Sequence, residues 1–351
     1  MANIRVFVLL LFPAMAIAVY PNVAVGKVAK QSSTFEAGGA ASRAVDGNAD
    51  PEWAGQSCTH TAFGLDNSWW YVDLGGNYII QSVVITNRKD CCWERLADFR
   101  VEVFEDDPES DTSIAQSCYN YAGAMPRGAT EQLTCDALRL GRYVRIAKDI
   151  GILTLCEVQV LGKKAYPNVA VGKVAKQSST REAGGAASRA VDGNADPLWA
   201  GQSCTHTETG LDNSWWYVDL GGTYTIQAVV ITNRGNACCW KRLADFTVDL
   251  YADDPESDSS IASNCYTYPG TMPQGATEIL RCKCPRRGRY VRIAKDVGIL
   301  TLCEVQVLGK QAVNNPFGTW YWKCEHVSGL SGRQRKINVK LTVQLVWADN
   351  L

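Results

Sequence analysis

Histidine is nearly missing from this chain, with 3 in 351 residues, and no stretch beyond the first 18 approaches the ~20 apolar residues that cross a bilayer as a helix. Charge of either sign in excess is missing too. Lys+Arg total 35 against 36 Asp+Glu, for a net charge of -1. Without a basic surplus there is nothing to neutralise a phosphate backbone, and the local basic runs at 283–289 and 333–336 are short, so no nucleic-acid partner is expected. No C-x-x-C pair faces another, and with so little histidine a structural zinc site is not expected either. No segment of 12 residues holds a clean 3.6-residue apolar period, which argues against a helical fold.

Cysteine, by contrast, is abundant, at 14 residues. Disulfides persist outside the cytosol, and the start of the chain agrees. Residues 1–18 carry a single Arg5, an apolar run from Val6 to Phe12, a break at Pro13 and the small-x-small sequence Ala16-Ile17-Ala18. This reads as a secretory signal peptide cut before Val19, too short to anchor, and the mature protein is expected to be secreted, with no membrane insertion.

What remains is one text written twice. Tyr20-Pro-Asn-Val-Ala-Val-Gly-Lys recurs from Tyr166, and Arg142-Tyr-Val-Arg-Ile-Ala-Lys-Asp recurs from Arg289. The copies occupy 20–165 and 166–312, and 313–351 form an unassigned tail that repeats nothing. Each copy is long enough to bury its own core, which excludes one large catalytic domain. The offset is 146 residues up to Arg88/Arg234 and 147 from Cys91/Cys238 onward, so the second copy carries one extra residue between those points.

Within a copy the apolar residues alternate with period two, as in Trp70-Tyr-Val-Asp-Leu, Ile80-Gln-Ser-Val-Val-Ile-Thr, Phe99-Arg-Val-Glu-Val-Phe, Tyr143-Val-Arg-Ile and Cys156-Glu-Val-Gln-Val-Leu. These are short strands separated by Gly/Pro/Asn/Asp-rich turns. The pattern predicts an all-β protein of two tandem antiparallel β-sandwich domains of the jelly-roll kind, with functional loops at one end. The acidic runs from Asp106 and Asp253 read as solvated turns, because their Pro and Ser suffice to make one.

Two of the three histidines, His60 and His206, fall at equivalent places in Ser-Cys-Thr-His-Thr. Each is followed by Thr-Asn-Arg, an adjacent cysteine pair and a further arginine: Arg88, Cys91, Cys92 and Arg95, then Arg234, Cys238, Cys239 and Arg242. Arginine offers a rigid planar fork of donors able to bridge vicinal acceptors, and a neutral imidazole can accept or donate to a third group. Sugars present that set of hydroxyl and ring oxygens. A bond within the adjacent cysteine pair would give a polarisable face for the C–H side of a sugar ring. It leaves Cys58 to pair with Cys156 and Cys118 with Cys135; the alternative is that the adjacent cysteines bond separately to other strands.

On these residues the chain resembles the F-type lectins, or fucolectins, whose motif is a His, some two dozen residues, Arg-x-Asp, four residues and Arg or Lys. His60, Arg88-Lys89-Asp90, Cys91-Cys92-Trp93-Glu94 and Arg95 match it, as do Asn67-Ser-Trp-Trp-Tyr-Val-Asp-Leu-Gly and Leu155-Cys-Glu-Val-Gln-Val, and the resemblance covers about residues 20–310 in two copies. It implies a galactose-binding-like, discoidin-like sandwich. It further implies that His60, Arg88 and Arg95 bind the 4-hydroxyl, 3-hydroxyl and ring oxygen of L-fucose over Cys91-Cys92. Trp53, with Phe35, would wall the sugar methyl, and Trp199 would do so in the second copy. There the Asp becomes Asn236 or Ala237, according to where the extra residue lies, and Phe35 becomes Arg181.

If Cys58 bonds Cys156, Glu157 comes beside Ser57 and the turn Asp46-Gly-Asn48, a set of oxygen ligands suited to a hard cation. The resemblance implies a structural Ca2+ in each copy. Arg43, Asp46, Asn48, Ser57, Cys156 and Glu157 would hold the first, and Arg189, Asp192, Asn194, Ser203, Cys303 and Glu304 the second. The partners implied are fucosylated glycans on microbial or host cell surfaces, in innate recognition or agglutination, and the sequence leaves room for a homo-oligomer. Two other classes stand against this reading. A discoidin-type adhesion module would bind lipid or protein through apolar loop tips, with no need of the His, Arg and Cys-Cys set. A glycosidase would need two carboxylates across the scissile bond, and near His60 only Asp90 qualifies, so no enzyme is expected.

Overall fold

The computed structural model describes residues 20–111, 113–181 and 183–312, with the two-residue strands Lys323–Cys324 and Leu341–Thr342. The leader at 1–18, nearly all of the tail and the question of a bond between Cys284 and Cys324 lie outside the described residues. The chain separates into two compact units between Ala165 and Tyr166. Among the described residues the elements are strands and 3-10 turns, and no helix is long and apolar enough to cross a membrane.

The first domain has six strands: β1 Val28–Gln31, β2 Ser68–Thr86, β3 Ala97–Phe104, β4 Gln116–Ala124, β5 Thr130–Lys148 and β6 Glu157–Lys164. All pairings are antiparallel. Two of these strands are longer than their alternation suggested. Trp70–Leu74 and Ile80–Thr86, read separately in the sequence, belong to one 19-residue strand, β2, and β5 is equally long. Each bends in the middle, where the β2–β5 register shifts between Asp73 and Tyr78. The first half of β2 pairs with β1 and with the end of β5, which also pairs β3; its second half pairs with β6 and with the start of β5. The two long strands therefore serve both sheets of a sandwich, one ordered β1-β2-β5-β3-β4 and the other β6-β2-β5, giving the eight strand segments of a jelly roll.

The bend has a local cause. Gly75 takes φ +77, where an L side chain is strained, and its N–H donates to Asp73 Oδ1 at 2.8 Å. Arg142 from the bend of β5 grips the same carboxylate with Nε and Nη2 at 2.7 and 2.6 Å, which holds Asp73 below the usual carboxylate range. The pattern inside the sandwich is apolar: Trp70, Val72 and Leu74 meet Ile80, Val83, Ile85, Val101, Val144, Ile146 and Val160 in one buried cluster. Trp70 is fully buried and donates from Nε1 to the Ala41 carbonyl at 2.9 Å, pinning the 3-10 turn Ala41–Val45 to the core.

The second domain repeats the design with β7 Val174–Gln177, β8 Ser214–Thr232, β9 Ala244–Tyr251, β10 Ser263–Thr271, β11 Thr277–Lys295 and β12 Glu304–Gln311. Trp216 donates to Ala187 at 2.9 Å, and Arg289 grips Asp219 at 2.8 and 2.7 Å. The cysteines pair as the preferred reading had them: Cys58–Cys156, Cys91–Cys92 and Cys118–Cys135, then Cys204–Cys303, Cys238–Cys239 and Cys265–Cys282. Cys58–Cys156 spans 98 residues of sequence. Closing so long a loop in the unfolded chain is worth about 4–5 kcal/mol in the chain-entropy account.

Candidate functional site

Four loops of the first domain converge on His60. The β1–β2 loop touches the β2–β3 loop through Lys89 N to Pro51 O at 2.8 Å, the β4–β5 loop reaches it through Gly128 N to Arg88 O at 3.1 Å, and the β5–β6 loop through Thr59 N to Leu155 O at 2.7 Å. His60 itself is seated by Gly39, whose carbonyl accepts from His60 N at 3.0 Å. A Cβ on Gly39 would lie 2.8 Å from His60 Cβ, so glycine is required there by proximity.

The imidazole is 4% exposed and its tautomer follows from its partners. Nδ1 lies 2.6 Å from the Thr61 carbonyl, which can only accept, so Nδ1 carries the proton. Burial pushes the His60 pKa down, and Arg95 and Arg88 push the same way, against the Thr61 carbonyl and Glu36. The ring is thus neutral, and its Nε2 lone pair accepts from Arg95 Nη1 at 2.8 Å. His206 repeats this with Thr207 O at 2.6 Å and Arg242 Nη1 at 2.7 Å.

Arg88 is 7% exposed and lies flat, its guanidinium carbon 4.7 Å from the Trp53 ring centroid. Its Nε and Nη2 donate to Asp90 Oδ1 and Oδ2 at 2.6 and 2.7 Å, holding the Asp90 pKa down at about 2. Trp53 stands edge-on to His60 with centroids 5.9 Å apart, and Arg43 covers it at 5.7 Å. The Cys91–Cys92 disulfide lies within this loop, with Cys92 at φ 60. Phe35 contacts the His60 ring at 4.9 Å. The expected sugar-contacting residues therefore gather in one place.

Three residues outside the expected set complete it. Phe63, 52% exposed, meets Phe35 edge-to-face at 4.6 Å and lies 5.5 Å under the Arg95 guanidinium. Asn87, buried beneath Arg88, donates its amide to the carbonyls of Trp93, Met125 and Pro126 at 3.2, 2.8 and 3.3 Å and accepts from Arg88 N at 2.8 Å, so it sets the shape of the loop. Lys148 donates to the Arg95 carbonyl at 2.5 Å from a buried position that lowers its own pKa. Only Asn87 had a signal in the sequence, as the middle of Thr-Asn-Arg.

The second domain settles where its extra residue lies. Gly235 N donates to Pro197 O at 2.7 Å, as Lys89 N does to Pro51 O, and Asn236 Oδ1 accepts from Arg234 Nε and from Trp199 N, each at 2.9 Å. Asn236 therefore takes the place of Asp90, and Ala237 is the insertion. Arg234 covers Trp199 at 4.6 Å and Trp199 stands 6.0 Å from His206. Arg181, Trp199, His206, Arg234, Cys239 and Arg242 line an open cavity of about 160 Å3. That is well under the roughly 300 Å3 at which pockets begin to enclose drug-sized ligands, and suits a single small ring.

Some of the residues expected to hold a cation come near one another. Glu157 is 2% exposed and accepts from Gly47 N, its Oε2 has no hydrogen bond, and Asp46 stands near enough to raise its pKa further, to about 7, on top of burial. Asp46 Oδ1 accepts from Asn48 N at 2.8 Å, and Ser57 Oγ donates to the Asp50 carbonyl. A buried carboxylate with an orphaned oxygen, facing the exposed carboxylate of Asp46, is chemistry that a cation would relieve. Arg43 ties this loop to the other site, since it belongs to the turn Ala41–Val45 and its side chain covers Trp53. The acidic run at Asp106 does otherwise: Glu109 accepts from Tyr71 Oη at 2.6 Å and from Lys30 Nζ at 3.0 Å, a turn closed onto the sheet.

A family model described as a NedA-like, galactose-binding domain matches residues 43–146 and 189–293. Fucolectin-1 of Anguilla japonica is 36% identical over 170 residues, spanning 47% of this chain and 93% of that protein. The fucolectin of Anguilla anguilla is 39% identical over 150 residues, 40% of this chain and 89% of its own. A crystal structure of a fucolectin from striped bass (Morone saxatilis) serum is 33% identical and covers 84% of this chain and 99% of that one, with a TM-score of 0.42. By sequence and motif the chain belongs to the F-type lectin, or fucolectin, family and carries its domain twice.

Proposed function

We propose that the protein is a secreted, non-catalytic lectin that binds L-fucose and fucosylated glycans at two sites, one per domain. The observation that carries this reading is the neutral, Nε2-accepting His60 locked to Arg95 beside Arg88, over Trp53 and the Cys91–Cys92 disulfide. Arg95 offers its remaining N–H donors, and Arg88 those not spent on Asp90, to adjacent sugar oxygens. A hydroxyl that donates to Nε2 replaces Arg95 Nη1 there, releasing that donor to the same sugar. Trp53 and Phe35 supply apolar surface for the sugar methyl.

Asp90 is bound up with Arg88 and held ionised at a pKa of about 2, far from the raised pKa of a general acid, which favours binding over hydrolysis. In this reading one Ca2+ per domain is structural. Asp46 and Glu157 would supply carboxylates, Arg43, Asn48 and Cys156 carbonyls, and Ser57 a further oxygen; Arg189, Asp192, Asn194, Ser203, Cys303 and Glu304 would do the same in the second domain. The ion would neutralise Glu157 and fix the loop carrying Trp53. Six disulfides among the described residues suit an extracellular protein, and recognition of fucosylated cell surfaces in immunity or agglutination is the role this reading assigns, with avidity from paired sites.

The test is elution from immobilised fucose, comparing the parent with His60→Ala, His206→Ala and both together. Each single variant should elute earlier than the parent and the double variant should flow through; retention of the double variant would refute the assignment.

A further inference from the structure

Arg95 has to reach His60 Nε2, and the turn that carries it is weakly held by its own bonds. It closes the 3-10 turn Trp93–Arg95, where Arg95 N to Cys92 O and Leu96 N to Trp93 O are each 3.2 Å. A turn of three residues is too short to fix its own orientation. Leu96, fully buried, fastens the chain one residue on. The Arg95 carbonyl decides how the peptide between them is turned, and with it the direction in which the arginine side chain leaves the backbone.

That carbonyl accepts from Lys148 Nζ at 2.5 Å. Lys148 is the last residue of β5 and is paired with Ser68 of β2 on one side and Phe99 of β3 on the other, so the ammonium comes from a strand held at both edges. It is 7% exposed, and burial lowers its pKa against the field of Asp98. An apolar side chain of the same length would fill this space without the cost of burying a charge, which is what a position serving packing alone would favour.

The second domain offers an independent comparison. There the loop ahead of the turn is one residue longer, Cys239 takes φ -139 where Cys92 takes φ 60, and Lys241 stands in place of Glu94. Lys295 Nζ nevertheless donates to the Arg242 carbonyl at 2.5 Å. Arg242 Nη1 then lies 2.7 Å from His206 Nε2, against 2.8 Å between Arg95 and His60. The extra residue is absorbed ahead of the carbonyl that the lysine holds.

We propose that Lys148 and Lys295 are positioning residues for sugar binding, each holding the peptide of Arg95 or Arg242 so that the guanidinium meets its histidine and the ligand while the loop ahead of it is free to vary. This rests on the fucose reading of the site.

The experiment is Lys148→Met in the full chain carrying His206→Ala, where the first site alone binds, with methyl α-L-fucoside as the probe. The variant should fold as stably as its parent and bind the fucoside about tenfold more weakly, the loss of one charge-assisted hydrogen bond. Without sugar, the 15N resonance of His60 Nε2 should move toward that of a free unprotonated imidazole nitrogen, because Arg95 no longer donates to it. Few histidines crowd that spectrum, since the chain has only 3. Lys295→Met in a His60→Ala chain should do the same at His206. An unmoved resonance overturns the inference whether or not binding weakens, and so does a moved resonance with unchanged affinity. Failure of both variants to fold overturns it too, since the lysines would then hold the domains and not the arginines. If the parent also fails to bind the fucoside, the fucose reading falls, and the histidine resonance still decides whether the lysine places the arginine.

Discussion

At the scale of residues, the site depends on which nitrogen of a histidine holds the proton. His60 donates from Nδ1 to a backbone carbonyl, which leaves Nε2 as an acceptor and turns Arg95 into place. The folded pKa is depressed below 6.5, mainly by burial. The sign follows: the folded state resists a proton that the unfolded chain accepts, so this contribution to stability is present above 6.5 and is lost as pH falls toward the folded value. Arg95, Arg88 and Glu36 are the charges that face the ring, and Asp90 stays ionised throughout. Retention on immobilised fucose should hold as pH falls through about 6.5 and fail below it. A midpoint of loss above that value would contradict a neutral, accepting histidine.

At the scale of elements, two long bent strands and four loops do the positioning. Trp70 and the Cys58–Cys156 bond fasten the β1–β2 loop at two points, and the cation proposed beside Glu157 is a third. Without the ion, a carboxylate at 2% exposure faces Asp46 with one of its oxygens lacking a hydrogen bond. Chelation should therefore destabilise the protein. Saturation at about a hundredfold over Kd is worth roughly 2.7 kcal/mol, which for a domain of this size is on the order of 10 °C in Tm. Scanning calorimetry with and without calcium checks this, and Glu157→Gln with Glu304→Gln should flatten the response. An unchanged calcium shift in the double variant would remove these glutamates from the site.

At the scale of the molecule, duplication places two unlike candidate sites on one chain. Two linked sites raise avidity through effective concentration when both can reach one surface. Agglutination of fucosylated cells should thus be lost in either single variant, His60→Ala or His206→Ala, even though each still binds soluble fucoside at its other site. A single variant that agglutinates like the parent would show that copies of the chain, and not its two domains, provide the valency. Cell titres beside monovalent titration decide between these.

Much of this was legible in the sequence because its signals are local or repeated. Alternation marked the strands, the repeat marked two domains, and the spacing of His60, Arg88, Cys91, Cys92 and Arg95 marked the candidate site; the six cysteines of each copy fell in register, but whether the adjacent pair bonded to itself was left open until the structure paired them. Other features depend on contacts between distant segments. That Trp70–Leu74 and Ile80–Thr86 form one strand shows only when their partners on β5 are seen, because a bend at Gly75 interrupts the alternation. Phe63 looks like an ordinary loop residue until Phe35 folds against it, and Gly39 looks like part of a flexible Gly-Gly until His60 lies on it. Alignment left the extra residue of the second copy at Asn236 or Ala237, and the hydrogen bonds to Arg234 and Trp199 decided it. The sequence by itself determined which chemical groups each domain carries, since that is composition and spacing. Only the tertiary structure decided their protonation and their pairing, since those depend on burial and on partners far away in the chain.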